Sequence, residues 1–509
     1  MTEPNPAPEY QKRSRSKTPL IVAVIVVVVI AIVVAAFALG RGAQEETADD
    51  ELTVGLVLEP TSLDVRTNTG VATSQILLDN VYEGLVGIRA GTVAELEPVL
   101  ATDMPELSDD GLEYTFTLRD GVAFHDGAEL TADDVVASLA ETLVPENIGF
   151  AATPAKVDDR TVKITLDEPN NTLLWQLANF PGAIREADAT NNLADSAIGT
   201  GPFAFEQWKQ GDSLTLVKND DYWGDAAKLD SVVFRFLPEG RAAVNALQEG
   251  DLDVFTALEP ELRDELQGDD DFALVRADSS DVFTLGFNTA EAPLDDQRVR
   301  TALSRAIDTD ALISAQNGDG KPLGSPITEL EPGYRDLTDV NAFDPDSARA
   351  LLAEAGQQDL SLELTVPNIY PTTVADLLKS QLADVGVTLG IRQVDFPTWL
   401  EQVYTNHDFD LSYVDHAEAR DFANYANPDY YFGYDSPEVQ VLFAKAIAAT
   451  DDAEADRLLQ EAAARVAEDA PAKWLFNYTP TNVVGTQVQG FPDANTNSRI
   501  NLGDVSIQR

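Results

Sequence analysis

The 509-residue chain contains no cysteine. Disulfides, thiol nucleophiles and thiolate metal sites are therefore excluded. Histidine is almost as scarce: His125, His407 and His416 are too few for a histidine-rich metal centre. Cations are outnumbered, with 34 Lys and Arg against 87 Asp and Glu, a formal charge of −53. So acidic a chain lacks the basic footprint that nucleic acids and anionic membrane surfaces require. The charge instead keeps the surface soluble and self-repelling. The motifs G-x-S-x-G, H-E-x-x-H and the P-loop are all missing. A glycosidase needs only two acids, but among 87 no particular pair stands out.

What the chain does have begins with one apolar run, LIVAVIVVVVIAIVVAAFAL, at residues 20–39. As a helix it would be about 30 Å long, enough to cross a bilayer. It is longer than a secretory h-region, which favours a retained anchor, although Ala36-Phe37-Ala38 also offers a small-x-small cleavage site. Lys12, Arg13, Arg15 and Lys17 precede the run; Glu45, Glu46, Asp49, Asp50 and Glu51 follow it. The positive-inside rule then gives a cytoplasmic basic tail (1–19), a membrane helix (20–39), an acidic tether (40–51) and an extracytoplasmic remainder long enough for two or more domains.

Residues 111–139 read GLEYTFTLRDGVAFHDGAELTADDVVASL. Tyr114, Phe116 and Leu118 alternate with polar residues, as in a strand with one buried face. Asp120-Gly121 and Asp126-Gly127 are turn dipeptides. Thr131 with Asp134 three residues on is a helix N-cap signature. His125, between the turns, reads as a scaffold residue. Residues 198–224 carry GTGPF and NDDYWG. A dinucleotide-binding reading of Gly199-x-Gly201 fails, because Pro202 follows and a strand rather than a helix continues from Phe203. Asn219, Tyr222 and Trp223 read as packing residues.

Residues 232–237, 241–249 and 251–255 form a β-α-β unit with parallel pairing. Residues 281–288 (DVFTLGFN) make a strand, and Val299, Ala302, Leu303, Ala306 and Ile307 line one face of the helix that follows. Asp344-Pro345 opens another helix. From 360 to 414 strands alternate with helices, an α/β arrangement. Residues 415–435 are loop-like, 438–467 helical, 474–479 a strand and 482–509 a tail.

The 111–139 stretch, the GTGPF…NDDYW segment, the PTSLD…YEGL opening (60–64, 82–85), FRF…ALQEGDLDV and NT…PLDDQRVRTALSRAID together resemble, in order, the family 5 solute-binding proteins (oligopeptide, dipeptide, nickel) that feed ABC importers. The resemblance runs from about residue 52 to 491. It implies an α/β, two-lobe, class II periplasmic-binding-protein-like fold with an extra subdomain. Lobe I would comprise 52–86, 198–280 and 478–509, its subdomain 87–197, and lobe II 281–477. Strands near 281–288 and 474–479 would be the hinges. The implied function is capture of a small solute, a peptide foremost, for ABC permease subunits. The implied protein is a monomer that is not an enzyme and needs no cofactor. A non-peptide solute (opine, sugar, metal chelate) and a non-transport receptor remain as alternatives. Many members are anchored through a lipidated cysteine; here, with none, the 20–39 helix would serve.

In open α/β sheets ligands bind beyond the carboxyl ends of the strands. Two loops qualify, 59–75 and 416–425. The second holds His416, Glu418, Arg420, Asp421 and Tyr425. Arg can pair bidentately with a carboxylate and Asp or Glu can hold an ammonium, as a zwitterionic peptide needs. An internal Arg420–Asp421 or Glu418–Arg420 ion pair is the competing reading. By resemblance, His416 stands near a position where peptide-binding relatives carry tryptophan, Glu418 or Asp421 supplies the acid for the amine, and Thr73, Ser74 and Gln75 approach the ligand. Trp175 and Trp399 are either stacking walls or core.

Overall fold

The computed structural model describes residues 50–67, 70–417 and 419–508. The basic tail 1–19, the apolar span 20–39, nearly all of the tether 40–51 and Glu418 lie outside the described residues. Among the described residues no helix is long and apolar enough to cross a membrane.

Two large sheets organise the described chain. The first has the order Phe272–Arg276, Thr481–Gly485, Val254–Phe255, Glu51–Leu56, Ser231–Phe236, Ser213–Lys218, Phe203–Lys209. Glu51–Leu56 pairs in parallel with a strand on each side. The β-α-β expectation is corrected in one respect: Ser231–Phe236 and Val254–Phe255 are parallel but not neighbours, because Glu51–Leu56 lies between them. Leu52, Val54, Leu56, Val232 and Phe234 are fully buried in one core.

The second sheet runs Gly320–Lys321, Ala472–Tyr478, Val282–Phe287, Leu411–His416, Ser361–Pro367, Thr388–Val394. The last three strands are mutually parallel, while Val282–Phe287 is antiparallel to both its neighbours. Its two faces carry separate cores. One is built on Leu285, Phe287, Val299 and Leu303 with the helices Gln297–Arg305 and Thr372–Asp384, the other on Trp399, Tyr431, Phe432 and Trp474.

A smaller antiparallel sheet, Glu106–Leu107, Glu113–Thr117, Thr161–Leu166, Ala152–Asp158, encloses its own core with the helix Ala132–Thr142. That helix opens as Thr131-x-x-Asp134 predicts: the Asp134 carboxylate accepts the Thr131 backbone N–H at 2.9 Å.

The segments richest in recognisable motif are scaffold. The buried Glu83 carboxylate accepts from Thr200 Oγ1 (2.7 Å), Tyr222 OH (2.8 Å) and Trp223 Nε1 (2.9 Å), which pins 198–224 to the helix–turn before it. Burial pushes the Glu83 carboxyl up to about 7, against these hydrogen bonds. Glycine is required at 199 and 201, where a Cβ would stand 1.9 Å from Val81 O and 2.3 Å from Asn80 O. His125 contacts Gly201 O at 3.0 Å through Nε2, a scaffold role.

Two further expectations are corrected. The helix expected over 438–467 is two helices, Pro437–Ala448 and Asp452–Asp469, because Asp451 caps the second by accepting from Glu454 N at 3.0 Å. The tail 482–509 is not structureless: Thr481–Gly485 is an interior strand of the first sheet, and Val488–Gln489 pairs with Ser506–Ile507. The first helix spans Val71–Leu77.

Candidate functional site

The chain passes from the first sheet to the second at 277–281 and back at 479–480. The two passages are stitched together. Ala277 N donates to Pro480 O (2.8 Å), Tyr478 N to Asp281 O (2.8 Å) and Ser279 Oγ to Tyr478 O (2.6 Å). Asn477 Nδ2 donates to Ser279 O and Asp281 O at 2.8 and 2.9 Å. Beside them Asp319, fully buried, is ion-paired with Arg263 and lies 3.7 Å from Arg276, and Lys321 pairs with Asp278 at 3.0 Å. These pairs join the segment before Val282–Phe287 to the edge of the second sheet.

Away from the passages, the small-sheet subdomain meets the second lobe again. Asn171 N donates to Ile447 O at 2.7 Å, and its Nδ2 to Ala446 O and Ala449 O at 2.8 and 3.2 Å. Arg420 reaches from the second lobe to donate from Nη2 to Ala94 O at 3.2 Å, with its guanidinium 4.7 Å over the Trp175 ring. Between these contacts is a cavity of about 670 Å³. Leu96, Ile148 and Trp175 line it from the subdomain; Ile327, Arg420 and Phe443 line it from the second lobe. Its volume is in the range of small-ligand pockets, and apolar walls with a few charged groups are their usual chemistry. The charged groups are Arg420, Glu331, Asp421, Asp452 and Asp456.

Of the residues singled out in the sequence, Arg420 and Asp421 reach this cavity. Arg420 has a left-handed backbone, φ 61°, held by the Glu331 carboxylate, which accepts its N–H. Its Nε is buried without a hydrogen-bond partner, and burial lowers the guanidinium pKa. The Arg420–Asp421 ion pair does not form. Asp421 Oδ2 instead lies 3.4 Å from His416 Nδ1, and His416 Nε2 is 3.0 Å from Tyr431 OH. Tyr425 is 1% exposed and its hydroxyl accepts from Trp474 Nε1 at 2.8 Å, within the core. Thr73, Ser74 and Gln75 are buried on the first helix. Their side chains donate to Ser62 O (3.1 Å), Val71 O (2.9 Å) and Thr496 O (2.7 Å), and none lines the cavity. Trp175 is a cavity wall, whereas Trp399 is core, donating to Ser412 Oγ at 2.9 Å.

Sequence reading missed Glu331. It also accepts from Thr328 N and Oγ1, both at 3.0 Å, and burial pushes its carboxyl up to about 7. Thr328-x-x-Glu331 is a cap-like spacing that could have drawn attention to it. It also missed Asp281 and Asp415, buried acids beside the passages, both with carboxyl pKa values raised by burial. Among the described residues no group of three or more His, Asp or Glu is placed to hold a metal ion.

Two α/β lobes joined by paired crossovers, with a cavity where the lobes meet again, define a cleft-type solute receptor. Residues 95–437, more than half the chain, match the model for the bacterial extracellular solute-binding proteins, family 5. The heme-binding protein A of Haemophilus influenzae is 32% identical over 350 residues, covering 60% of this chain and 63% of that protein. The glutathione-binding protein GsiB of Pectobacterium atrosepticum is 30% identical over 445 residues, covering 79% and 84%. Among solved structures, the periplasmic binding protein DppA of Helicobacter pylori in complex with peptide STSA superposes with a TM-score of 0.75 at 22% identity, covering 90% of this chain and 98% of that one. The chain belongs to the family 5 extracellular solute-binding proteins, and is a transport receptor rather than an enzyme.

Proposed function

We propose that this protein captures a short peptide in the cavity between subdomain and second lobe and delivers it to the permease subunits of an ABC importer. The observation that carries the reading is Arg420: a guanidinium that crosses the cleft, keeps a buried donor without a partner and borders a cavity of about 670 Å³. A peptide carboxylate is the planar acceptor such a fork fits. The related glutathione-binding protein and the similar fold that holds a tetrapeptide agree with that chemistry. Asp421 or Glu418 would supply the acid for the amine, His416 and Tyr425 would set the loop, and Thr73, Ser74 and Gln75 would approach the solute from the first lobe.

The lobes, 52–86 with 198–280 and 478–509 on one side and 281–477 on the other, close about the passages as the solute enters, with 87–197 moving with the first. The protein works as a monomer. The apolar span 20–39 keeps it at the membrane with the binding module outside. An acidic tether over 40–51 would then keep that module near the permease and raise its effective concentration there. N-terminal sequencing of the membrane-bound protein should find the span retained; a start near Leu39 contradicts the anchor. The reading of the cleft is tested by mass spectrometry of small molecules released from the purified chain, followed by titration calorimetry. Peptides in the released pool, bound again with a one-to-one stoichiometry, are expected; only heme, sugars or metal chelates would overturn it.

A further inference from the structure

The cavity beside Arg420 has two unlike walls. Among the described residues, every charged side chain that lines it comes from the second lobe, Arg420 included. The subdomain's wall is uncharged and mostly apolar: Leu96, Met104, Ile148, Phe150, Leu174 and Trp175 face the cavity. Its neutral polar groups are already occupied. Asn171 Nδ2 donates to Ala446 O and Ala449 O, and Asn170 Oδ1 accepts from Thr172 N and Oγ1.

Much of the charge on the facing wall is also engaged. The Glu331 carboxylate accepts from Thr328 N, Thr328 Oγ1 and Arg420 N, and Asp421 lies against His416. Asp452 is exposed at the start of the helix Asp452–Asp469. Among the described residues that line the cavity, Arg420 alone keeps a buried side-chain donor without a partner. Its guanidinium stands over the Trp175 ring, so the charged handle and the apolar wall adjoin.

The subdomain does not cover this apolar wall itself. Leu96, Phe150, Leu174 and Trp175 pack on the subdomain core yet stay only partly buried, and Met104 is 40% exposed. Apolar surface gathered in one place and left open marks a binding groove. Ile327 and Phe443 present apolar surface from the opposite side. A side chain entering between the walls therefore leaves water on both flanks. An aliphatic or aromatic one gains from that transfer, whereas a polar one forfeits hydrogen bonds that the subdomain wall does not replace.

We infer that the two walls divide the recognition: the second lobe holds the peptide's carboxylate through Arg420, and the uncharged subdomain wall reads the side chains, so that the receptor selects peptides of bulky apolar residues. This rests on the cavity being the peptide site. Backbone and termini are common to all peptides of one length, so discrimination among them falls to the subdomain.

The test uses the full-length chain and three probes with identical backbones: trialanine, trileucine and triglutamine. Leucine and glutamine are both large, and glutamine is polar without charge. Calorimetry should find trileucine bound about 10-fold to 150-fold tighter than trialanine, the gain from burying one such side chain, and triglutamine no tighter than trialanine. The heat-capacity change of binding should be more negative for trileucine than for triglutamine. In Met104→Ser/Phe150→Ser the trileucine-to-trialanine ratio should fall about 3-fold or more, and Phe150→Leu should keep it. Should the double variant not fold, Met104→Ser alone, at a half-exposed position, takes its place. Equal affinity for trileucine and triglutamine, or for all three probes, overturns the apolar selection while leaving peptide binding in place. Equal heat-capacity changes do the same. A ratio unchanged in the variant overturns the role of the subdomain wall. Binding by none of the three overturns both the inference and the peptide reading.

Discussion

The two ends of the interlobe contact are built from different chemistry. Near the passages it is ionic: Asp319, fully buried, is held by Arg263 and Arg276, and Lys321 by Asp278. At the far end it is made of side-chain donors on backbone carbonyls, Asn171 on Ala446 and Ala449 and Arg420 on Ala94, over apolar walls. Separating a buried ion pair strands charge, whereas a carbonyl released from an amide is satisfied by water. On the proposed reading, the ionic end stays shut as a pivot and the far end parts at low cost to admit solute.

The largest effect should come from breaking the pivot. Asp319→Ala leaves Arg263 buried without its acid, a change that typically costs about 3–5 kcal/mol. Urea unfolding should register the loss; a change below about 1 kcal/mol would mean that the pivot is not held by charge. Next comes the rim. Arg420→Ala should weaken the peptide by about 2–5 kcal/mol, roughly 30-fold to several thousand-fold, and leave stability within about 1 kcal/mol. Should stability fall and affinity hold, Arg420 is a strut between subdomain and second lobe and nothing more.

Glu331 sharpens the same comparison through pH. Its carboxyl is raised to about 7 by burial, above the unfolded value near 4.5, so the folded state binds the extra proton between those limits. Stability therefore falls as pH rises from about 4.5 to about 7. Glu331→Gln should flatten that fall, leaving the contributions of Glu83, Asp281 and Asp415, which have the same sign. Melts across the window decide it: identical slopes in both proteins would remove Glu331 from the account. The smallest effect belongs to Asn171→Ala. It deletes two hydrogen bonds to carbonyls, about 1 kcal/mol, and should enlarge the solute-free particle in small-angle scattering with little change in stability.

What could be read in advance was local. The Thr131–Asp134 cap, the Asp344 cap and the apolar stripe from Val299 to Leu303 depend on neighbours within a few positions, and all are present. Long-range pairing was not legible. Thr481–Gly485 carries only two consecutive valines, and becomes an interior strand because the first sheet has a slot between Phe272–Arg276 and Val254–Phe255. The candidate loop was legible by composition, since Arg420 and Asp421 do border the cavity. Tyr425 looked equivalent to them, but its ring fills a core with Trp474 and Phe432. Asp281 and Asp415 carried no signal, because the groups that pack on them come from far along the chain: Asn497 donates to Asp281 from 216 positions away, and Tyr370 OH accepts from Asp415 N from 45 positions away.

The cysteine-free chain allows the central claim, closure of the far end on solute, to be measured without background labelling. Val157 in the subdomain and Val441 in the second lobe are 58% and 52% exposed. Val157→Cys/Val441→Cys can carry a spin label at each site, and pulsed electron–electron resonance reports the distance between them. Adding the solute recovered from the purified protein should collapse a broad or longer distribution into one shorter distance. A distribution unchanged at saturating solute would contradict closure.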